Sequence, residues 1–204
     1  MDEMVVCKCG RPAIYNKDTE AWELCSDCRN KILSDNASIS RCGFGVKYAS
    51  ASFSDFTDEF KRTLIKDTNL YKNNLLLSGA SSVGKTHLMA CIAKDLFGGN
   101  LHYNDIIYTN MIQMCLQIGS DITQMDGIIE KCSNCKYLFL DEVVPTKTQW
   151  EERMLYMILE NRRNDCLTTI SATNADVSKL DGRIVSRLLD NNGIQYTLTR
   201  KVWA

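Results

Sequence analysis

The sequence predicts an α/β fold in which a parallel sheet carries helices on both faces, preceded by a small cysteine-rich unit. Three observations predict it. Between residues 75 and 198, short apolar runs alternate with stretches of helical period. The first such run, Leu75-Leu76-Leu77, leads into the glycine-rich loop Gly79-Ala80-Ser81-Ser82-Val83-Gly84-Lys85-Thr86, and a helical stretch follows. Four of the ten cysteines crowd the first 28 residues.

Taken in order, residues 1–42 read as a separate unit. Cys7-Lys8-Cys9 and Cys25-Ser26-Asp27-Cys28 form two close pairs around the candidate hairpin strands Ala13–Tyr15 and Ala21–Leu24. So short a segment cannot bury enough apolar surface to fold alone. Four thiolates, from Cys7, Cys9, Cys25 and Cys28, around a structural Zn²⁺ would supply the missing stability, and Cys42 is a spare that can replace Cys7 or Cys9. Residues 43–52 read as a connector rich in small residues, and 53–204 as the main domain. That domain opens on Phe53, Phe56, Phe60 and Leu64, whose steps of three and four predict an amphipathic helix capped by Ser52 or Ser54.

The loop and its helix, His87–Phe97, come next. A strand is expected at Ile106–Tyr108, helices at Met111–Ile118 and Gly127–Lys131, and a buried strand over Tyr137–Leu140 that ends in Asp141-Glu142. A long helix over Gln149–Asn164 places Trp150, Met154, Leu155, Ile158 and Leu159 on one face. A strand at Leu167–Ala172, a short helix at Arg183–Leu189 and a strand at Ile194–Leu198 complete the series.

Composition sets the broad class. Of 204 residues, 45% are hydrophobic and 24% charged, as in soluble globular chains, and the formal net charge is −1. No general field draws such a chain to nucleic acid, so any contact of that kind is local or belongs to an assembly. No apolar stretch approaches bilayer length, and the acidic start Met1-Asp2-Glu3-Met4 does not read as a secretory leader. A cytoplasmic protein is expected, its cysteines present as thiols or metal ligands.

The chemistry concentrates in the loop and at strand ends. The loop matches G-x-x-x-x-G-K-[ST] at every fixed position. Its amides, from Gly79, Ala80, Ser81, Ser82, Val83 and Gly84 on to His87, are suited to cradle phosphates at a helix N-terminus. Lys85 reaches β- and γ-phosphates in such loops, and a hydroxyl like that of Thr86 ligates Mg²⁺. A strand ending Asp141-Glu142 is the matching partner: the Asp holds Mg²⁺ and the Glu orients and deprotonates water. Asn174, after the Leu167–Ala172 strand, offers an amide to that water. Arg183 and Arg187 stand four apart on one helical face, which by spacing alone reads as two solvated charges. Cys132-Ser133-Asn134-Cys135 reads as a helix end, and Cys91, Cys115 and Cys166 as core thiols.

In this order, the phosphate loop, Leu138-Phe139-Leu140-Asp141-Glu142, Ser171-Ala172-Thr173-Asn174 and Arg183-Ile184-Val185-Ser186-Arg187-Leu188 resemble the AAA+ ATPases of the DnaC/DnaI helicase-loader group, close to the IstB-like transposition helpers. Ala51–Phe56 and Glu160-Asn161-Arg162-Arg163 add to the resemblance, which spans about residues 47–198. It implies a five-stranded parallel sheet and ATP hydrolysis with Mg²⁺. It assigns Lys85 and Thr86 to the nucleotide, Asp141 as the metal-side acid, Glu142 as base, Asn174 as sensor, and Arg187, then Arg183, as an arginine acting on a neighbour's nucleotide. It further implies self-association, a DnaB-type replicative helicase held by the zinc module, and contact with single-stranded DNA in the assembly. Few residues follow Arg187, too few for a helical lid, and Arg200 is the nearest stand-in for an arginine on one. The compact length suggests a phage or mobile element. A transposition helper and a non-hydrolysing adaptor are the alternatives.

Overall fold

Five segments pair side by side into one parallel sheet: Leu75–Gly79 (β3), Ile106–Asn110 (β4), Tyr137–Asp141 (β5), Thr168–Thr173 (β6) and Ile194–Leu198 (β7). Their order is β4-β5-β6-β3-β7, with every neighbouring pair parallel. The computed structural model describes residues 11, 13–16, 21–57, 73–98, 101–190 and 192–199. A separate antiparallel pair, Ile14–Asn16 (β1) with Ala21–Glu23 (β2), forms the hairpin expected between the two cysteine pairs.

Helices join the strands as the apolar spacing predicts. They are Lys85–Gly98 (α2), Met111–Ser120 (α3), Met125–Asn134 (α4), Gln149–Asn164 (α5) and Gly182–Leu188 (α6). The long helix α5 has the bounds read from its apolar stripe. Thr148 caps it in a reciprocal box with Glu151, and arginines in its last turn complement the helix dipole.

Strand alternation divides the core in two. Leu75, Leu77, Phe139, Ile170 and Ala172 face the layer that holds α2. Leu76, Leu138 and Leu140 face the layer of α3 to α6. The first layer also receives the N-terminal helix Ser26–Arg41 (α1), which buries Ile39 completely and is followed by the buried Cys42 and Phe44. The apolar core therefore runs without a break across residue 42.

The connector is packed against this layer. Val46–Tyr48 form a 3-10 turn, and Ala51 is buried. Where the phenylalanine spacing predicts a helix from Phe53, the chain makes a 3-10 turn over Phe53–Asp55 and is extended at Phe56. Ser52 is its cap, as expected, but the Asp55 carboxylate accepts from the Ser52 amide and closes the turn early. Phe56 is buried, and Phe60 and Leu64 lie outside the described residues.

Candidate nucleotide site

The site is assembled at the carboxyl ends of the sheet. β3 is fully buried up to Ser78 and delivers Gly79 to the loop with φ 140°. An added Cβ there would collide with the Leu198 carbonyl of β7, so only glycine lets the two strands run this close. Ser82 and Gly84 also take positive φ, curling the backbone before α2 begins at Lys85. The Lys85 ammonium folds back over the loop and donates to the carbonyls of Gly79 at 2.7 Å and Ala80 at 2.6 Å. Burial pulls its pKa below the usual lysine range, while Asp141 and Glu142 act the other way.

Two strands away, β5 ends at Asp141, which is 4% exposed. Thr86 Oγ1 donates to its Oδ2 at 2.6 Å, which ties the phosphate loop to the acid strand across β6. The Tyr108 hydroxyl donates to the same oxygen at 2.9 Å, and the Glu142 amide donates to Oδ1 at 2.8 Å. Glu142 itself adopts a left-handed backbone, φ 51°, and its carboxylate accepts from Asn110 Nδ2. The other end of that amide, Asn110 Oδ1, accepts from the Ile112 and Gln113 amides and caps α3. A left-handed glutamate costs on the order of 1 kcal/mol or more.

Asn174 follows β6, the strand between β3 and β5, and is exposed. It therefore leaves the sheet between the loop and the acids. His87 turns its ring away from the loop. Its Nε2 sits 2.8 Å from Asp55 Oδ2, and the ring lies edge-on to Phe56 and Tyr48. The two arginines are occupied within the chain. Arg183 pairs with Glu152 and Asp181. Arg187, largely buried, pairs with Glu160, donates to the Tyr156 hydroxyl at 2.9 Å and lies over the Tyr156 ring. The Glu160 carboxyl is held below its usual range by Arg187.

Of the four cysteines expected to bind zinc, Cys25 is buried at the N-cap of α1 and Cys28 is half-buried one turn on. Cys7, Cys9 and Arg200 lie outside the described residues. Among the described residues, no three His, Cys, Asp or Glu side chains stand together as a metal site, and no helix is long and apolar enough to cross a membrane. Cys132 lies in the last turns of α4 and Cys135 caps it, as expected. Burial pushes the Cys132 thiol up to about 12, and that of Cys91 likewise. Cys166 departs from expectation: it is exposed, with φ 52°, in the turn between α5 and β6. Cys115 is only half-buried.

Tyr108 and Asn110 belong to no motif in the sequence, and Arg162 enters there only within the Glu160-Asn161-Arg162-Arg163 run. Tyr108 and Asn110 alternate on one face of β4, and Asn110 is in register with Asp141. The signal was a polar residue closing an apolar run, but it points nowhere until the neighbour of β4 is known. Arg162 falls where the apolar stripe of α5 would next be buried, four residues beyond Ile158.

No protein-family model matches the chain. Among solved structures, DnaI superposes with a TM-score of 0.62 at 20% identity, over 77% of this chain and 92% of that one. The DnaC helicase loader superposes with a TM-score of 0.60 at 18% identity, over 77% of this chain and all of that one. The fold is that of the DnaC and DnaI helicase loaders. AMPPCP-bound DnaA from Aquifex aeolicus superposes with a TM-score of 0.58 at 15% identity over 74% of this chain and half of its own. A curated relative, the phage-like element PBSX protein XkdC of Bacillus subtilis (strain 168), is 23% identical over 70% of this chain. The match spans 60% of that relative's length. The chain thus has the fold of these neighbours, a five-stranded parallel sheet flanked by helices, as expected.

Proposed function

We propose that the chain is an ATP-dependent loader that places a DnaB-type replicative helicase on single-stranded DNA, self-associating through its AAA+ domain. The observation that carries this is the Thr86–Asp141 hydrogen bond. It brings the glycine-rich loop against an acid strand, in a fold that superposes on DnaI and the DnaC helicase loader. The site suits a magnesium nucleotide. A curled run of amides opens a helix N-terminus, an ammonium lies over it, and a hydroxyl and a carboxylate meet beside it. Lys85, Thr86 and Asp141 would hold the group, whose metal would neutralise charge on the phosphate oxygens.

The chain's own residues then divide the work. Glu142 accepts a proton from water, Asn110 aims the Glu142 carboxylate, and Asn174 contributes an amide from between the loop and the acids. Arg187 acts on a neighbouring subunit's phosphates by exchanging Glu160 for them. His87 serves the site by fixing the first turn of α2 against Asp55. Residues 1–42 hold zinc through Cys7, Cys9, Cys25 and Cys28 and grip the helicase, and 53–204 form the ATPase domain. The similarity to a phage-like element protein supports a mobile replicon as the setting, and a DnaA bound to both AMPPCP and single-stranded DNA is a further structural neighbour that supports the DNA contact.

The test compares wild type with Lys85→Ala and Glu142→Gln in phosphate release, nucleotide binding and capture of helicase. Lys85→Ala should lose nucleotide, and Glu142→Gln should keep it while hydrolysis falls by roughly 10²-fold or more. Equal rates in all three remove the ATPase reading. Tight binding with no phosphate release by wild type turns the reading to an adaptor, and co-purification with a transposase turns it to a transposition helper. Elemental analysis of the full chain should find zinc, reduced in Cys25→Ser.

A further inference from the structure

We propose that Tyr108 is a positioning residue for Asp141, and that it ties the metal side of the nucleotide site to the segment Cys42-Gly43-Phe44 that closes the N-terminal helix. The inference rests on the nucleotide reading above and adds to it a residue and a route.

Asp141 has two oxygens with different neighbours. Oδ1 accepts from the Glu142 amide, and Oδ2 accepts from both Thr86 and Tyr108. Thr86 is a ligand in the proposed chemistry, so its hydroxyl is shared between Oδ2 and the metal it would hold. Tyr108 has no second duty at the site. A phenol ordinarily gives up its proton only near pH ~10, so Tyr108 remains a donor across the working pH. A second group that holds a metal-side carboxylate by hydrogen bond sets both its orientation and its affinity.

Tyr108 is in turn held from the other side. Its backbone amide donates to the Cys42 carbonyl at 2.7 Å, on the open edge of β4. Its ring lies 4.1 Å from that of Phe44, which is buried and also meets Phe139. Gly43, at φ 110°, crosses so close that an added Cβ would stand 2.5 Å from the Tyr108 carbonyl. Any movement at the end of α1 that shifts this strap moves the phenol, and the phenol moves Oδ2. A pull on the N-terminal region thereby reaches the metal side of the site through one side chain.

The test uses the full chain and a fluorescent N-methylanthraniloyl ATP, titrated first without magnesium and then with MgCl₂. Tyr108→Phe keeps the ring and its stacking and removes only the donor. It should raise the magnesium midpoint about tenfold, the low end for loss of such a supporting group. Nucleotide affinity without magnesium and the thermal midpoint should stay unchanged. Phe44→Leu, which loosens the strap and leaves the phenol in place, should raise the same midpoint by a smaller factor. An unchanged midpoint in Tyr108→Phe, with wild type saturating normally, overturns this inference alone. A wild type that takes up no nucleotide with magnesium overturns the site reading and this inference together.

Discussion

Asp141 and Glu142 are adjacent in sequence and opposite in treatment. Asp141 is buried and takes hydrogen bonds from three separate parts of the chain, so its rotamer is locked. Glu142 is half-exposed, and among the described residues its carboxylate accepts a side-chain hydrogen bond from Asn110. The first arrangement suits a fixed ligand, and the second a group that exchanges protons with water. Asn110 can be tested at its two ends independently. Asn110→Asp keeps an oxygen to cap α3 and replaces the donor on Glu142 with a second negative charge. Hydrolysis should change several-fold while the thermal midpoint stays close to wild type. Asn110→Ala should also lose the cap and about 1 kcal/mol of stability. If both variants keep wild-type hydrolysis, Asn110 is a cap only.

At the scale of elements, Arg162 is what joins α5 to the sheet. It is 1% exposed. Nη1 donates to the carbonyls of Cys132 and Cys135 at the end of α4, Nη2 to that of Thr168, and Nε to Thr169 Oγ1 at the start of β6. One planar guanidinium thus satisfies carbonyls left over where α4 ends and β6 begins. Burial draws its pKa down, with the Cys132 and Cys135 thiols opposing. Arg162→Ala would leave these buried oxygens unpaired and should cost about 3 kcal/mol, read as a lower urea midpoint at unchanged slope. Arg162→Lys should recover little of it, because an ammonium lacks the planar fork that reaches both the end of α4 and the start of β6. A loss below ~1 kcal/mol would mean water replaces the guanidinium. Cys132 and Cys135, five and two residues before β5, have C-x₂-C spacing, but they lie buried at a helix end and burial raises both thiols.

At the scale of the molecule, the composition boundary near residue 42 does not coincide with a packing boundary. Ile39 at the end of α1 is fully buried in the same cluster as Leu75, Leu77 and the residues of α2. Lys94 of α2 reaches Asn36 and the Ala49 carbonyl and holds the helices together at their polar rim. Ile39→Ala should therefore destabilise the whole α/β core by about 2–5 kcal/mol, as a core cavity does, in a single thermal transition. A separate early transition with the main melt unmoved would show instead that α1 unfolds as its own unit. By the same packing, removal of residues 1–42 would strip the core, so single substitutions are the sounder probe of the N-terminal region.

What the sequence determined by itself was local. A loop motif, an apolar run ending in two acids and the period of the helices between residues 85 and 188 depend on residues within a few positions of one another, and these appear where the spacing places them, whereas the helix Ser26–Arg41 was not read from its residues. The turn at Phe53–Asp55 already escapes this logic, because the Asp55 carboxylate closes it on Ser52 against the phenylalanine spacing. Only the tertiary structure decided that β6 runs between the loop and the acids, that Tyr108 and Asn110 of β4 hold Asp141 and Glu142, and that Arg162 lies inside. Strand order in a parallel sheet is set by long crossovers and by which apolar faces bury each other, and neither leaves a mark on the spacing of neighbouring residues.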